Sequence, residues 1–155
     1  MGEIEAHLEA LGIVLPAAPA PVANYVPALL HGNLLSVSGQ LPMAAGKLKY
    51  AGRVGEDLTV EDGALAARLA AINVLAQVKA AGALDRVAAC LRLGVFVNAA
   101  PGFAMQPEVA NGASDLMVAA FGERGRHTRS AVGAQSLPRN AAVEVEALFA
   151  IIWKG

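Results

Sequence analysis

The sequence predicts an α+β domain: a sheet with helices on one face and no helical cover on the other. Two observations lead there. Helix-period and strand-period segments follow one another in the order strands, helix, strand, helix, strands. The final strand is apolar on both faces over most of its length, and two helices cover only one face of a sheet. A third observation points to association. Hydrophobic residues make up 55% of the 155-residue chain and charged residues only 16%, so too little polar surface remains for a well-solvated monomer.

The elements follow in order. Glu3 to Gly12 has Ile4, Leu8 and Leu11 on one face and predicts a short amphipathic helix. Leu15 to Val22 is an extended connector, because Pro16, Pro19 and Pro21 forbid a regular helix. Tyr25–Leu30 and Leu34–Ser38 read as strands around the turn signal His31-Gly32-Asn33, and 46–54 as a short hairpin arm. Val60 to Ala81 is the first long helix. Thr59 is its N-cap, Asp62 completes a capping-box variant and Gly82 ends it. Its expected buried face is Leu65, Leu69, Ile72, Leu75 and Val78. Arg86–Val97 is a strand. Pro107–Phe121 is the second long helix, with proline in the first turn and Gly122 at its end. His127–Val132 and Ala142–Trp153 are the last strands. On the latter, Val143, Val145, Ala147, Phe149, Ile151 and Trp153 share one side, and Glu144 and Glu146 the other with Leu148, Ala150 and Ile152.

Composition narrows the function classes. Twelve Lys and Arg against 13 Asp and Glu leave a net charge of −1, too little field to favour nucleic acid or an anionic membrane. A lone cysteine, Cys90, makes no intramolecular disulfide and is expected as a buried core thiol. No apolar run reaches membrane-spanning length, and the acidic N-terminus lacks the basic start of a signal peptide. The expected location is cytoplasmic. Dinucleotide, Walker and nucleophile-elbow signatures are absent, and His7, His31 and His127 lack metal-ligand spacing, so no metal is expected.

Four positions carry candidate chemistry. Arg129 lies on an apolar strand with His127 on the same face, and its planar fork suits a carboxylate. It is read either as an anion site or as a structural ion pair with Glu144 or Glu146. The two glutamates share a strand face, as a general acid/base or as solvated residues. One lying near Arg129 is expected to stay ionised. Tyr25 is either a ligand-facing phenol or an ordinary strand aromatic. Arg124 and Arg126 read as a solvated loop.

Three segments together resemble the RidA/YjgF/L-PSP family of reactive enamine/imine deaminases. They are Asn24-Tyr25 with Gly32-Asn33 and Ser38-Gly39-Gln40-Leu41-Pro42; Thr128-Arg129-Ser130-Ala131-Val132; and Leu137-Pro138 followed by Val143-Glu144-Val145-Glu146-Ala147. The resemblance runs from about Ala23 to Ile152. It implies a chorismate-mutase-like fold with a mixed sheet, a homotrimer, and ligand clefts between subunits. It also implies that Arg129 holds a substrate carboxylate, that Glu144 positions the attacking water, and that Tyr25 lines the cleft. Gly39 and Ala131 take places where main chain faces the ligand. The cleft's helical asparagine falls nearest Ser114, with Asn111 one turn earlier and His127 nearby.

Two departures are visible: Ala23-Asn24 stands where the family has Gly-Pro, and Ala131 where deaminases often have cysteine. The chain divides into residues 1–22, an N-terminal helix and connector, and residues 23–155, the family domain. The implied activity is hydrolysis of 2-imino acids to 2-keto acids and ammonia without a cofactor. The alternatives are a non-catalytic binder of small carboxylic acids, an L-PSP-type endoribonuclease, and a chaperone-like role for exposed apolar surface.

Overall fold

A computed structural model describes residues 1–21 and 23–153. Val22, at the end of the proline connector, lies outside the described residues, as do Lys154 and Gly155. Helix α1 spans Glu3–Ala10, and strands β1 (Ala28–His31) and β2 (Leu34–Gln40) form a hairpin. Two short strands follow, β3 (Met43–Ala44) and β4 (Lys47–Leu48). They pair around Ala45 and Gly46, whose φ values of 51° and 73° suit the twist of a tight hairpin turn. Helix α2 (Val60–Ala80), β5 (Val87–Asn98), α3 (Gln106–Phe121), β6 (Thr128–Ala134) and β7 (Val143–Ile151) complete the chain.

The main sheet has five strands in the order β1-β2-β7-β5-β6. Only β5 and β6 run parallel, joined by α3, and the other neighbours are antiparallel. The sheet is therefore mixed and the domain is α+β, as expected. Thr59 caps α2 as the sequence predicts. Its hydroxyl accepts from the Asp62 N–H at 3.1 Å, and the Asp62 carboxylate accepts from the Thr59 N–H at 3.1 Å.

Burial alternates along β7: Val143, Val145, Ala147, Phe149 and Ile151 are buried, while Glu144, Glu146, Leu148 and Ala150 are not. The buried row meets Leu35 and Val37 of β2 and Leu93, Val95 and Val97 of β5 beneath α2 and α3. Phe149 is the largest fully buried side chain and packs edge-on against Phe121 at 6.2 Å between centroids. Ile4, Leu8, Ile13 and Leu15 of the N-terminal segment join the same core.

The expected buried face of α2 needs correction. Leu65 is exposed, and Leu69 and Ile72 are only half-buried. The covered face is Ala66, Ala67, Ala70, Ala71, Val74, Leu75 and Val78. The reason is steric: α2 packs on the sheet and alongside α3, and small side chains let both neighbours approach closely. Gly112 of α3 shows how closely, because a Cβ there would overlap the Ala64 carbonyl of α2.

Cys90 is buried as expected, and burial pushes its thiol up to about 12, so it is unreactive in the folded chain.

The interhelical contact yields a test. Gly112→Ala is expected to lower stability by about 1–3 kcal/mol, read as a lower denaturant midpoint at unchanged slope. Helix propensity alone predicts the opposite sign, a gain of roughly 0.5–1 kcal/mol.

Candidate functional site

Seven of the eight residues singled out in the sequence fall into two separate clusters, and Ala131 lies outside both. The first surrounds Glu144. Strand β2 carries a bulge between Val37 and Gln40, which places Gly39 beside β7. A Cβ at Gly39 would overlap the Glu144 carboxylate, so glycine leaves the room that carboxylate occupies beside the β2 main chain. Ser38 fixes the segment leading into β1: its N–H donates to the Pro27 carbonyl at 2.9 Å and its hydroxyl to the Val26 carbonyl at 2.8 Å. Tyr25, Gly39 and Glu144 thereby line one cavity of about 200 Å³. That lies below the ~300 Å³ typical of pockets for drug-sized ligands and suits a small molecule.

Burial pushes the Glu144 carboxyl above its ordinary range, and the Glu146 charge adds to the push. This corrects the expectation that a nearby Arg129 keeps such a glutamate readily ionised. It also removes the structural ion pair between Arg129 and either glutamate. The pairing of strands is the cause. Arg129 is registered with Leu93, and Leu93 with Ala147, in the row beneath the helices. Glu144 is registered with Phe96 and Glu146 with Gly94, in the uncovered row. Arg129 and the glutamates therefore leave opposite faces of one sheet.

The second cluster surrounds Arg129. Its Nη1 donates to Asn111 Oδ1 at 2.8 Å and to Ser114 Oγ at 3.1 Å, and its Nη2 donates to the Pro107 carbonyl at 3.4 Å. His127 Nδ1 donates to the Gly125 carbonyl at 2.7 Å, which leaves Nε2 free to accept from the Ser114 hydroxyl at 2.8 Å. A relay thus runs from guanidinium through hydroxyl to imidazole. Every acceptor on Arg129 is neutral, and no salt bridge among the described residues includes it. Its charge is oriented but not neutralised, the condition for receiving an anion. Ser114, His127 and Arg129 line a second, open cleft on this side. Asn111 touches Arg129 from α3, while Ala131, two residues on from Arg129, packs against the core.

Sequence reasoning missed Arg139, which lines the Glu144 cavity with Pro138. Arg139 and Asn140 have φ values of 58° and 59°, a left-handed conformation costing a non-glycine residue roughly 1–2 kcal/mol. The Asn98 amide donates to Asn140 Oδ1 at 3.1 Å, and the Gly52 N–H donates to the Asn140 carbonyl at 2.8 Å, so the turn is held. The Leu137-Pro138 motif was visible, but nothing in the spacing showed which cavity it faces. Arg124 is held by the protein, while Arg126 is exposed beside Arg129's cleft. Arg124 donates to the Val87 carbonyl at 2.9 Å, and Arg126 lies 3.8 Å from Glu123.

The raised Glu144 carboxyl makes a stability prediction. Its folded form holds a proton more tightly than its unfolded form, so its contribution is full below about pH 4.3 and is lost as pH rises through the folded value. Glu144→Gln is therefore expected to melt higher than wild type at pH 7. The difference should shrink as the pH approaches 4, when followed by thermal denaturation.

Comparison with known proteins places this frame. The family model described as "YjgF/chorismate_mutase-like, putative endoribonuclease" matches residues 5–152. Protein TCP17 of Trypanosoma cruzi is 52% identical over 149 residues, covering 95% of this chain and 93% of that one. The crystal structure of Atu1372 from Agrobacterium tumefaciens, described as of unknown function, superposes with a TM-score of 0.89. It is 50% identical over 96% of this chain and 92% of its own. Escherichia coli TdcF with bound serine superposes at 0.63, with 26% identity over 86% of this chain and 93% of its own. Among the described residues, no helix is long and apolar enough to cross a membrane. With nearly its whole length matched, the chain belongs to the RidA/YjgF/L-PSP family and has its chorismate-mutase-like fold.

Proposed function

We propose that the protein hydrolyses small 2-imino acids, or their enamine tautomers, in a cleft built where the Glu144 side of one copy meets the Arg129 side of the next. The observation that carries this reading is the separation of the two clusters. A poised carboxylate lines one cavity, an oriented and un-neutralised guanidinium lines another, and the sheet stands between them. A head-to-tail contact that closes into a ring repeats such a junction at every interface. The uncovered sheet face supports association, because it exposes Leu29, Leu34 and Val132. A homotrimer is the assembly proposed.

In this cleft Arg129 holds the substrate carboxylate and fixes the imine carbon. Glu144 takes a proton from water as its oxygen bonds to that carbon and the C=N electron pair moves to nitrogen. The nitrogen takes that proton from Glu144 to give a neutral aminol; Glu144 then accepts the aminol hydroxyl proton and hands it to the nitrogen as C=O forms, the C–N bond breaks and ammonia leaves. The carbon skeleton leaves as a 2-keto acid. The raised Glu144 carboxyl suits a base near neutral pH. The reaction as written needs no redox partner. TdcF, which has bound serine, lends support to a small carboxylate-bearing ligand.

One other reading has a specific observation behind it. Arg139 places a cation in the same cavity as Glu144, so a single chain has the means to bind a small carboxylic acid without turnover. The ribonuclease reading is weaker, since Arg124 is engaged by the Val87 carbonyl and the net charge is −1.

The test uses an amino-acid oxidase to generate 2-imino acids, with semicarbazide trapping what survives. Wild type is expected to suppress the trapped adduct. Glu144→Gln should lose about 10²-fold or more in rate. Arg129→Ala should lose roughly 10-fold or more in kcat/KM, the cost of a charged hydrogen bond. The acid limb of the rate profile should lie above the usual carboxylate range. Saturable keto-acid binding without turnover, abolished by Arg139→Ala and not by Arg129→Ala, would replace the proposal with the single-chain binding reading.

A further inference from the structure

The N-terminal segment reaches the Glu144 cavity. Helix α1 is docked by Ile4 and Leu8, by the Glu5–Lys79 ion pair, and by the Ile4 N–H donating to Asp85 at 2.8 Å. Beyond the buried Leu15 the connector turns to the cavity, where Pro19, Ala20 and Pro21 form part of the lining. Gln77 of α2 holds it there. This glutamine is only 2% exposed, and its Nε2 donates to the Pro19 carbonyl at 2.7 Å and to Gln40 Oε1 at 3.4 Å. Gln40 lines the same cavity next to Gly39. A buried amide is retained only where its hydrogen bonds are met. Here both acceptors belong to the cavity wall.

We propose that the proline connector is the specificity wall of the candidate site and that Gln77 is its positioning residue. With Leu41 and Met43, the connector makes an apolar stretch of lining. The ligand class it selects is the 2-oxo or 2-imino acid with a short alkyl side chain. A charged side chain placed against this stretch loses hydration without gaining a partner. Prolines suit such a wall because their fixed φ keeps it from yielding to a longer side chain. The inference rests on the proposed function to the extent that the ligand is an acid bound beside Glu144.

The test is a calorimetric titration of 2-oxo acids with alkyl side chains of increasing length, and of one acidic and one basic analogue. Wild type, Pro19→Gly/Pro21→Gly and Gln77→Ala are compared. Wild type should prefer the short alkyl acids. In both variants the ratio of Kd between the longest and the shortest alkyl acid should fall by about tenfold. A merely structural role for the connector lowers every affinity alike and leaves the ratio unchanged, and that result overturns the inference while leaving the proposed function standing. Binding of no oxo acid by wild type overturns both.

Discussion

The period of two along β7 is the constraint on which the rest depends. One row, Val143 to Ile151, must meet the helices to bury the core, and the alternate row must then face away. Glu144 and Glu146 sit in that alternate row. A slip of one residue would bury two carboxylates and expose Phe149, so the register is fixed by hydrophobic burial. The same register fixes where Arg129 goes, since β6 pairs with β5 and β5 with β7. Core formation therefore dictates that the carboxylate and the guanidinium of the candidate chemistry leave opposite faces of the sheet.

Helix α2 translates the core into the shape of the Glu144 cavity. Its buried Asn73 donates to the Leu41 and Met43 carbonyls at 2.9 and 3.0 Å, and Gln77, one turn later, donates to Pro19. Two amides on one helical stripe thus hold the loop after β2 and the N-terminal connector. The alanine face next to them allows α3 to lie close, and α3 in turn presents Asn111 and Ser114 to Arg129. One helix steadies both clusters, so packing changes along it are felt at each.

Most of the fold was legible because its signals are local. The capping box at Thr59, the proline at the start of α3 and the alternation of β7 each depend on neighbours in sequence. The buried face of α2 was misread because the leucines outweighed the alanines, and only the approach of α3 makes small residues the better core. Arg129, Glu144 and Tyr25 were visible as candidates through the family motifs. The separation of Arg129 from the other two was not, because sequence spacing carries no strand order. Gly39 was singled out, but its steric reason appears only when the bulge brings Glu144 over it. Gln77 carries no local mark at all, since its hydrogen bonds cross 37 and 58 positions, and the cavity that Arg139 lines is walled by segments distant in sequence.

The most direct test of a site shared between copies is subunit mixing. Arg129→Ala and Glu144→Gln are co-expressed, mixed oligomers are isolated by orthogonal tags, and imine hydrolysis is measured against each parent. A shared cleft predicts that the mixture is more active than either parent, because some interfaces then pair an intact Arg129 with an intact Glu144. Mixed oligomers no more active than their parents would contradict a cleft assembled from two copies.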